Sequence, residues 1–338
     1  MLPNKVTIKE VAEKLNISMM TVSRALNNKP NVDKRTREIV VKTARKMGYI
    51  QNHIAKSLVQ KKTNTIGIVV PEITHSFFPD AIRGIEEVLY KNGYQIIFTH
   101  SNENAEREIR ALETLASKRV DGILISMAQT VTEYSFYKQI MKMKLPLVFF
   151  DRCVFDIGAS CVGIDDKESA RTLTRYLIEK GYRRIAHLAG SLSVSIGRDR
   201  LSGYKAALKQ AGLKINNKWI LKAGFHEYGG YKAMKELLAL AADKLPEAVV
   251  CVNDPAAFGA IKAIKEKKLK VPDDIAVVGF SDDIRSELIT PALTTIHQPA
   301  YEVGKMAAKK LLAHIENKNE KVESIFLDTN LIVRNSTK

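Results

Sequence analysis

The sequence has 338 residues, 45% of them hydrophobic, and a formal net charge of +16, which is enough chain for a small domain and a larger body with separate cores. It has no uninterrupted apolar run of about 18 residues and no N-terminal export pattern, so we expect a cytoplasmic protein outside the membrane. Cys153, Cys161 and Cys251 are scattered without CxxC spacing, which favours reduced, buried thiols over a disulfide framework or a zinc site.

Two short helices joined by a tight turn are predicted over VTIKEVAEKLNISMMTVSRALN, residues 6–27. Thr7 and Glu10 have the spacing of a capping box, so the first helix should begin near Ile8. Asn16 ends that helix and Ser18 caps the second. The outward face of the second helix carries Met19, Met20, Ser23, Arg24 and Asn27. Such a face suits the major groove of DNA, although ordinary helical packing is an alternative.

A third helix should run from the cap Asp33 to about Met47, with Gly48 as its stop. Its inward positions are predicted to be Ile39, Val40, Ala44 and Met47. Residues 1–62 hold 14 Lys+Arg and 4 Asp+Glu, a net charge of +10, whereas the other 276 residues have a net charge of +6. This concentration favours binding to phosphates over a merely solvated basic face.

A short helix is predicted in QNHIAKSLVQKK, residues 51–62, where Asn52 can cap one or two turns carrying Ala55 and Leu58. So short a helix is not stable alone in water, and a plain linker is the alternative.

Residues 6–62 resemble the head of the LacI/GalR family of bacterial transcription regulators, through TIKEVAEKLNISMMTVSRALNN and NVDKRTREIVVKTARKMGYIQNHIAKSL. The resemblance implies that Met19, Met20 and Arg24 face DNA bases. It places the following residues at or near backbone phosphates: Thr7, Ser18, Thr21, Ser23, Asn27 and Tyr49. Arginine can bind guanine through two hydrogen bonds, whereas methionine can only touch apolar base edges such as the thymine methyl.

The same resemblance makes residues 51–62 a hinge helix that orders on DNA, with Asn52, Ala55, Lys56 and Leu58 as its expected contacts. Leu58 would insert into the minor groove and kink the duplex. Gln51 and Lys56 depart from the family pattern, which commonly has proline and arginine at these positions.

From Thr65 onward, short apolar strands alternate with longer helices, which predicts parallel α/β structure. The predicted strands are TIGIVV, YQIIFT, DGILIS and LPLVFF and, where the cycle recurs after CVGID, RRIAHLAG, WILKAG, AVVCVN and IAVVGF. The predicted helices lie near 79–92, 104–119, 130–143, 166–180, 198–211, 227–242 and 255–268. The tail, which includes ITPALTTIHQP, adds a helix over about 300–316 and one closing strand near IFLDTNLIV.

The recurrence of the strand and helix cycle implies two lobes, and the resemblance implies two Rossmann-like lobes of the periplasmic-binding-protein-like (type I) architecture. We therefore expect an all-α helix-turn-helix head over 1–50, a hinge over 51–62 and an α/β body over 63–338. Chain crossings are expected near 162, 290 and 322. Lobe 1 would then comprise about 63–162 and 291–321, and lobe 2 about 163–290 and 322–338.

Ligands of open parallel sheets lie beyond the carboxyl ends of the strands, so loops such as 71–78 and 191–200 should border a cleft between the lobes. Their aromatic, hydroxyl, amide, carboxylate and guanidinium groups suit a sugar-sized polyol. By resemblance, the effector-binding candidates are Phe77, Phe78, Asp151, Arg152, Arg200, Phe225, Asn253, Asp254, Ser281 and Asp282. Arg200 matches the arginine that holds the effector, and Ser281 stands where many members carry an aspartate. Alternatively, Phe78 and Phe225 are plain core, Asp151 is a strand-end cap and Arg200 forms a structural ion pair.

These features predict a homodimeric repressor that binds a near-palindromic double-stranded operator and responds to a small-molecule effector, expected to be a carbohydrate. The motifs GxGxxG, GxxxxGK[ST], HExxH and GxSxG are missing, and the seven histidines lack ligand spacing. We therefore expect no catalytic residues, cofactor or metal. The alternatives are control by a protein coregulator, a nucleobase or nucleoside effector, and, more remotely, a bifunctional sugar enzyme and repressor.

Overall fold

The computed structural model describes residues 6–50, 62–155, 157–241, 245–317 and 319–338. The chain separates into two compact units, Met1–Thr63 and Asn64–Lys338, which we call the head and the body. The predicted hinge contacts Asn52, Ala55, Lys56 and Leu58 lie outside the described residues.

Within residues 6–50 the head has three helices, α1 over Ile8–Leu15, α2 over Met19–Leu26 and α3 over Lys34–Lys46. The predicted capping box is present, because the Thr7 amide donates to Glu10 Oε2 at 2.6 Å and the Glu10 amide donates to Thr7 Oγ1 at 3.3 Å. Asn16 adopts the left-handed conformation with φ 49° and ends α1. The side chains of Ser18 and Asp33 accept hydrogen bonds that cap α2 and α3. The sequence therefore located all three helices from local signals.

The core of the head is a small cluster of buried side chains from all three helices, namely Val11, Ala12, Val22, Ala25, Val40 and Ala44. Leu15, Leu26, Met47 and Tyr49 pack against it while partly exposed. The prediction that Ile39 faces inward was wrong, because 46% of this residue is exposed. Val40 and Ala44 define the buried stripe of α3, and a residue one position earlier is rotated by about 100° around the helix.

The body contains two six-stranded sheets among the described residues. In the first sheet the strand order is β11-β5-β4-β3-β1-β2, all parallel. In the second the order is β12-β10-β9-β8-β6-β7, and only β12 is antiparallel to its neighbour. The strands are β1 Thr65–Val70, β2 Gln95–His100, β3 Gly122–Ile125, β4 Leu147–Phe150, β5 Ser160–Ile164, β6 Ile185–Ala189, β7 Ile220–Lys222, β8 Ala248–Cys251, β9 Ala276–Ser281, β10 Thr294–His297, β11 Ser324–Leu327 and β12 Asn330–Ile332.

Helices cover both sheets, as parallel connections require. They are α4 Phe77–Lys91, α5 Ala105–Ser117, α6 Ser135–Lys142, α7 Asp166–Glu179, α8 Ser195–Gln210, α9 Glu227–Leu237, α10 Asp254–Glu266, α11 Arg285–Leu288 and α12 Ala300–Glu316. In the first lobe α4 packs against α12. In the second lobe α7 packs against α8, and α9 against α10. One buried apolar cluster contains residues of both lobes, including Ile125 from the first sheet and Val249 from the second.

The chain crosses between the lobes near residues 165, 298 and 328. The last two crossings lie later than the predicted positions near 290 and 322. The predicted closing strand near IFLDTNLIV is in fact two strands, since β11 pairs with β5 in the first sheet and β12 pairs with β10 in the second. β10 also belongs to the second sheet, next to β9. A short apolar run reveals a strand but not the sheet that it joins.

The cysteine prediction was wrong for two of the three residues, because Cys153 and Cys161 form a disulfide with a Cα to Cα distance of 5.8 Å. The loop after β4 returns beside β5, the neighbouring strand, and this brings the two residues together. Cys251 is a free and buried thiol, and its burial raises its pKa. Every helix in the described ranges is too short or too polar to cross a membrane.

Candidate functional site

The head exposes an apolar and basic surface on α2. Met19 is 52% exposed and Met20 is 63% exposed, although both are large apolar side chains. Arg24 is also exposed, one turn further along, whereas Val22 and Ala25 on the opposite face are buried. Side chains with these chemistries can touch thymine methyls and bind guanine edges in a major groove.

Four of the polar residues predicted to approach phosphates lie on α2 or at its ends, namely Ser18, Thr21, Ser23 and Asn27. Thr7 and Ser18 cap the N-termini of α1 and α2, where the helix dipole favours anions. Ser18 Oγ and Thr21 Oγ1 lie 2.9 Å apart, and Asn27 Nδ2 donates to the Ser23 carbonyl at 2.9 Å. Tyr49 is half-buried against the head core. Hydrogen bonds within the head therefore hold the side chains of Ser18, Thr21 and Asn27 on or next to the helix that carries the exposed methionines.

In the body, side chains from both lobes line a cavity of about 40 Å³ between the carboxyl ends of the strands. Eight of the ten predicted effector-binding residues line it, namely Phe77, Phe78, Asp151, Arg152, Arg200, Phe225, Asn253 and Ser281. Five further residues complete the lining, namely Glu72, His75, Ile196, Pro255 and Gln298. We call this cavity the cleft.

Arg152 reaches across the cleft from lobe 1. Its NH1 donates to both carboxylate oxygens of Glu103, at 2.8 and 2.9 Å, and to the Met127 carbonyl at 3.3 Å. Its guanidinium carbon lies 4.7 Å from the ring centroid of Phe225, which belongs to lobe 2, and 5.9 Å from that of Phe78. Only 3% of Arg152 is exposed, so the cation is removed from water and stacked on aromatic rings.

Arg200 lies on α8 and is also buried. Its Nε donates to Asp166 Oδ1 at 2.7 Å, its NH1 to the Val252 carbonyl at 2.7 Å and its NH2 to Gln298 Oε1 at 3.3 Å. The guanidinium also stacks 3.7 Å from the ring centroid of Phe280. Arg200 thus forms the ion pair that the sequence left open as an alternative, at the wall of the cleft.

Two aspartates in or beside the cleft, Asp151 and Asp166, have pKa values raised by burial. Burial raises the pKa of Asp166 to about 6, against the opposing effect of the Arg200 cation. Burial likewise raises the pKa of Asp151, which Arg152, Arg200 and a hydrogen bond from Gln298 partly offset. A site of this kind places hydrogen-bonding groups around a ligand without a large excess of charge.

Two predicted effector residues, Asp254 and Asp282, do not line the cleft. Asp254 is fully buried and accepts hydrogen bonds from Thr295 Oγ1 at 2.6 Å, Ser286 Oγ at 2.9 Å and the Asp283 amide at 2.6 Å. As the first residue of α10, it turns inward and secures the loop after β9. Asp282 pairs instead with Arg334 NH1 at 2.8 Å and His297 Nδ1 at 3.0 Å.

Three of the additional lining residues, Glu72, His75 and Ile196, lie in the segments 71–78 and 191–200, which were predicted to border the cleft, but were not singled out; Ile196 lies in the first turn of α8. Gln298 was missed because it occupies the second crossing between the lobes, which was predicted elsewhere. Pro255 lies two residues after Asn253 and has no polar side-chain group.

Hydrogen bonds join the lobes at the cleft. His75 Nε2 lies 3.2 Å from His226 Nδ1, and the Ser76 amide donates to Asp283 Oδ2 at 3.4 Å. Ser193 Oγ donates to the Gln129 carbonyl. Burial lowers the pKa of His75, which favours the neutral imidazole in this contact. The cleft is therefore closed, with room for only a few water molecules.

Comparisons with known protein families give one match in the head and another in the body. Residues 7–52 match the family described as bacterial regulatory proteins, lacI family, and residues 63–334 match periplasmic binding proteins and sugar binding domain of LacI family. The chain is 35% identical over 332 residues to the HTH-type transcriptional repressor PurR of Histophilus somni (strain 2336), covering 98% of this chain and 99% of that protein.

Two solved structures are also similar over nearly the whole chain. A transcriptional regulator CelR in complex with cellobiose is 29% identical with a TM-score of 0.75, covering 98% of this chain and 100% of that one. A lac repressor dimer bound to operator and the anti-inducer ONPF is 25% identical with a TM-score of 0.88, covering 99% of both chains. The chain therefore belongs to the LacI family and is a DNA-binding transcription repressor with an effector-binding body.

Proposed function

We propose that this repressor is a cytoplasmic homodimer acting at the nucleoid, which binds a near-palindromic operator and changes its operator affinity when a carbohydrate enters the cleft. It binds this effector without converting it chemically. The observation that carries the proposal is the convergence of side chains from both lobes on one buried cavity.

The chemistry of the lining supports a polar ring as effector. Phe77, Phe78 and Phe225 offer aromatic faces, while Asn253, Ser281 and the nearby charged groups offer donors and acceptors. Such a combination suits stacking on a sugar ring and hydrogen bonding to its hydroxyls. The similarity to a regulator solved with cellobiose supports the same class. The closed cleft is far below the ~300 Å³ of a typical small-molecule site, so the lobes must open to admit the effector.

The DNA-binding part of the proposal uses α2 as the recognition helix. Met19, Met20 and Arg24 would face base edges, and Thr7, Ser18, Thr21, Ser23, Asn27 and Tyr49 would approach phosphates. Asn52, Ala55, Lys56 and Leu58 would act in the hinge. The excess charge of residues 1–62 supports strong, salt-dependent attraction to the duplex.

The homodimer is supported by exposed apolar side chains on lobe 2. Tyr228, Ile284 and Leu288 are 71%, 74% and 78% exposed. Tyr228 follows Glu227 in the chain, and Ile284 precedes Arg285. Because Glu227 and Arg285 form an ion pair at 3.7 Å, Tyr228 and Ile284 lie in the same region. Exposed apolar groups in one region favour contact with another protein surface. The similar lac repressor structure is described as a dimer on its operator, which agrees with self-association.

A ligand panel tests the effector. Purified chain is heated with cellobiose, ribose, uronic acids, purine bases and nucleosides, and a compound at 100 times its dissociation constant should stabilise the protein by about 2.7 kcal/mol. An operator selected from randomised duplexes then reports whether the stabilising compound changes DNA affinity. Stabilisation by a purine alone would replace the carbohydrate by a nucleobase. Consumption of the compound would show an enzyme, and a response only to a partner protein would show a coregulator.

A further inference from the structure

The guanidinium of Arg152 lies where a stacking ligand of the cleft would lie. It belongs to lobe 1 yet lies over the ring of Phe225 in lobe 2, and the ring centroid of Phe78 is 5.9 Å from its central carbon. The space that remains is about 40 Å³. A planar cation over an aromatic ring offers the same kind of stacking contact as a flat ligand. In the closed body, an internal side chain thus takes the position of a ligand.

Glu103 holds that guanidinium in place. Both of its carboxylate oxygens accept from Arg152 NH1, and its Oε2 also accepts from the Gln129 amide at 2.8 Å. The Gln129 carbonyl in turn accepts from Ser193 Oγ of lobe 2. Two contacts between the lobes, the Arg152 to Phe225 stack and the Gln129 to Ser193 hydrogen bond, are therefore both anchored by one carboxylate.

The backbone that presents this pair is held in an unusual conformation. Glu103 has φ 57° and Asp151, the residue before Arg152, has φ 61°, a left-handed region that costs an ordinary residue about 1 kcal/mol or more. The loop of Glu103 is fixed on both sides, since its amide donates to the Pro71 carbonyl at 3.0 Å and its carbonyl accepts from Thr130 Oγ1 at 2.8 Å. Such left-handed residues persist only where the surrounding contacts require them.

The fit of Arg152 in the closed cleft is incomplete. Its Nε is buried, lies 4.0 Å from Asp151 Oδ2 and makes no hydrogen bond in the described part of the chain. A buried donor without an acceptor is unfavourable. An incoming ligand with hydroxyl or carbonyl oxygens can therefore compete with the closed arrangement.

We propose that Glu103 and Arg152 form a clasp that closes the cleft when no effector is bound, and that an effector binds by displacing the Arg152 guanidinium from Phe225. The inference rests on the proposed function and adds its regulation. Because the effector competes with an internal group, the apparent affinity depends on how firmly Glu103 holds Arg152. Glu103 thereby becomes a positioning residue of the effector site, although it does not line the cleft.

The first test uses the methylguanidinium ion as probe and the full chain without effector. Arg152→Ala leaves the aromatic faces and the Glu103 carboxylate in place, so methylguanidinium should occupy the vacated position and raise the Tm of the variant. At ten times its dissociation constant the rise should be about 2 °C or more. The control is Arg171→Ala, which removes a half-exposed arginine from its 2.7 Å pair with Glu168. Equal responses of the two variants would overturn the proposal.

The second test keeps the arginine and weakens its anchor, and it applies even if Arg152→Ala fails to fold. Glu103→Gln preserves the shape of the side chain but removes its charge. Hydrogen exchange should become several-fold faster for the amides of residues 191–196, which border the lobe contact, while the head remains unchanged. Glu168→Gln provides the matched control at the surface pair. Unchanged exchange in Glu103→Gln would show that the carboxylate does not hold the lobes.

Failure of the clasp can be distinguished from failure of the proposed effector. Neither test contains an effector, so both can succeed even if every compound of the panel fails to bind. If cellobiose binds the wild type, its association with Glu103→Gln should be several-fold faster, because the guanidinium is released more readily. Cellobiose association at the wild-type rate, together with unchanged hydrogen exchange, would reject the clasp and leave a carbohydrate effector intact.

Discussion

Replacing Arg200 by methionine should destabilise the body strongly even without effector. The arginine is buried and makes three hydrogen bonds, of which the ion pair with Asp166 at 2.7 Å matters most. Methionine retains the apolar stem but leaves Asp166 as a buried carboxylate without its cation. Breaking a buried pair in this way costs about 3 to 5 kcal/mol. For a body of this size, that loss corresponds to a decrease in Tm on the order of 10 °C.

The pH dependence of the decrease identifies Asp166 as its cause. In the wild type the pKa of Asp166 is raised to about 6, so the folded state holds this proton more tightly than the unfolded chain does. The corresponding stabilisation is complete at low pH and is lost as the pH rises through about 6. Without Arg200 the pKa of Asp166 should rise further, so the loss of stability with rising pH should continue to higher pH. The deficit of Arg200→Met should therefore be largest near pH 8 and shrink as the pH falls below 6.

Thermal melting of the full chain at several pH values measures this effect, and Asp166→Asn in the Arg200→Met background provides the control. A neutral amide needs no cation, so the double variant should recover part of the lost stability and its deficit should no longer depend on pH. A single variant that melts within about 1 °C of the wild type at pH 8 would refute the reasoning, because it would show that water replaces the arginine at little cost. In that case Arg200 is free to act mainly on the effector.

Three further predictions concern DNA binding and assembly. Arg24→Ala should weaken binding to the selected operator by about 1 to 3 kcal/mol and leave random DNA nearly unaffected, as fluorescence anisotropy can measure; equal losses on both would assign Arg24 to phosphate. Leu58→Ala should reduce operator bending and operator affinity together in a gel-shift bending assay, while the Tm of the free protein hardly changes. If the variant bends the operator as the wild type does, Leu58 is only part of a linker. Leu288→Glu should shift the chain toward monomers in sedimentation velocity, whereas Leu192→Glu, at another exposed leucine, should not. If Leu288→Glu dimerises with unchanged affinity, the lobe 2 surface is not part of the dimer interface.

The sequence located the helices of the head and most elements of the body. Thr7, Asn16, Ser18 and Asp33 act on backbone groups within a few residues of themselves, so their effect follows from spacing alone. The alternation of apolar strands and amphipathic helices likewise depends on neighbours along the chain. The strand ends likewise indicated which loops border the cleft. The resemblance to the LacI/GalR family then selected ten side chains, eight of which line it.

The tertiary structure decided what depends on contacts between distant residues. Arg152 meets Glu103 across 49 positions, and Asp254 meets Thr295 across 41, so neither partner is visible in the local pattern. The order of strands brought Cys153 to Cys161 and assigned β11 and β12 to different sheets. Burial of a polar group requires a partner, but the sequence does not say which of many possible partners the fold supplies. The choice between facing the cleft, as Asp151 does, and securing a loop, as Asp254 does, is therefore made only when the sheets assemble.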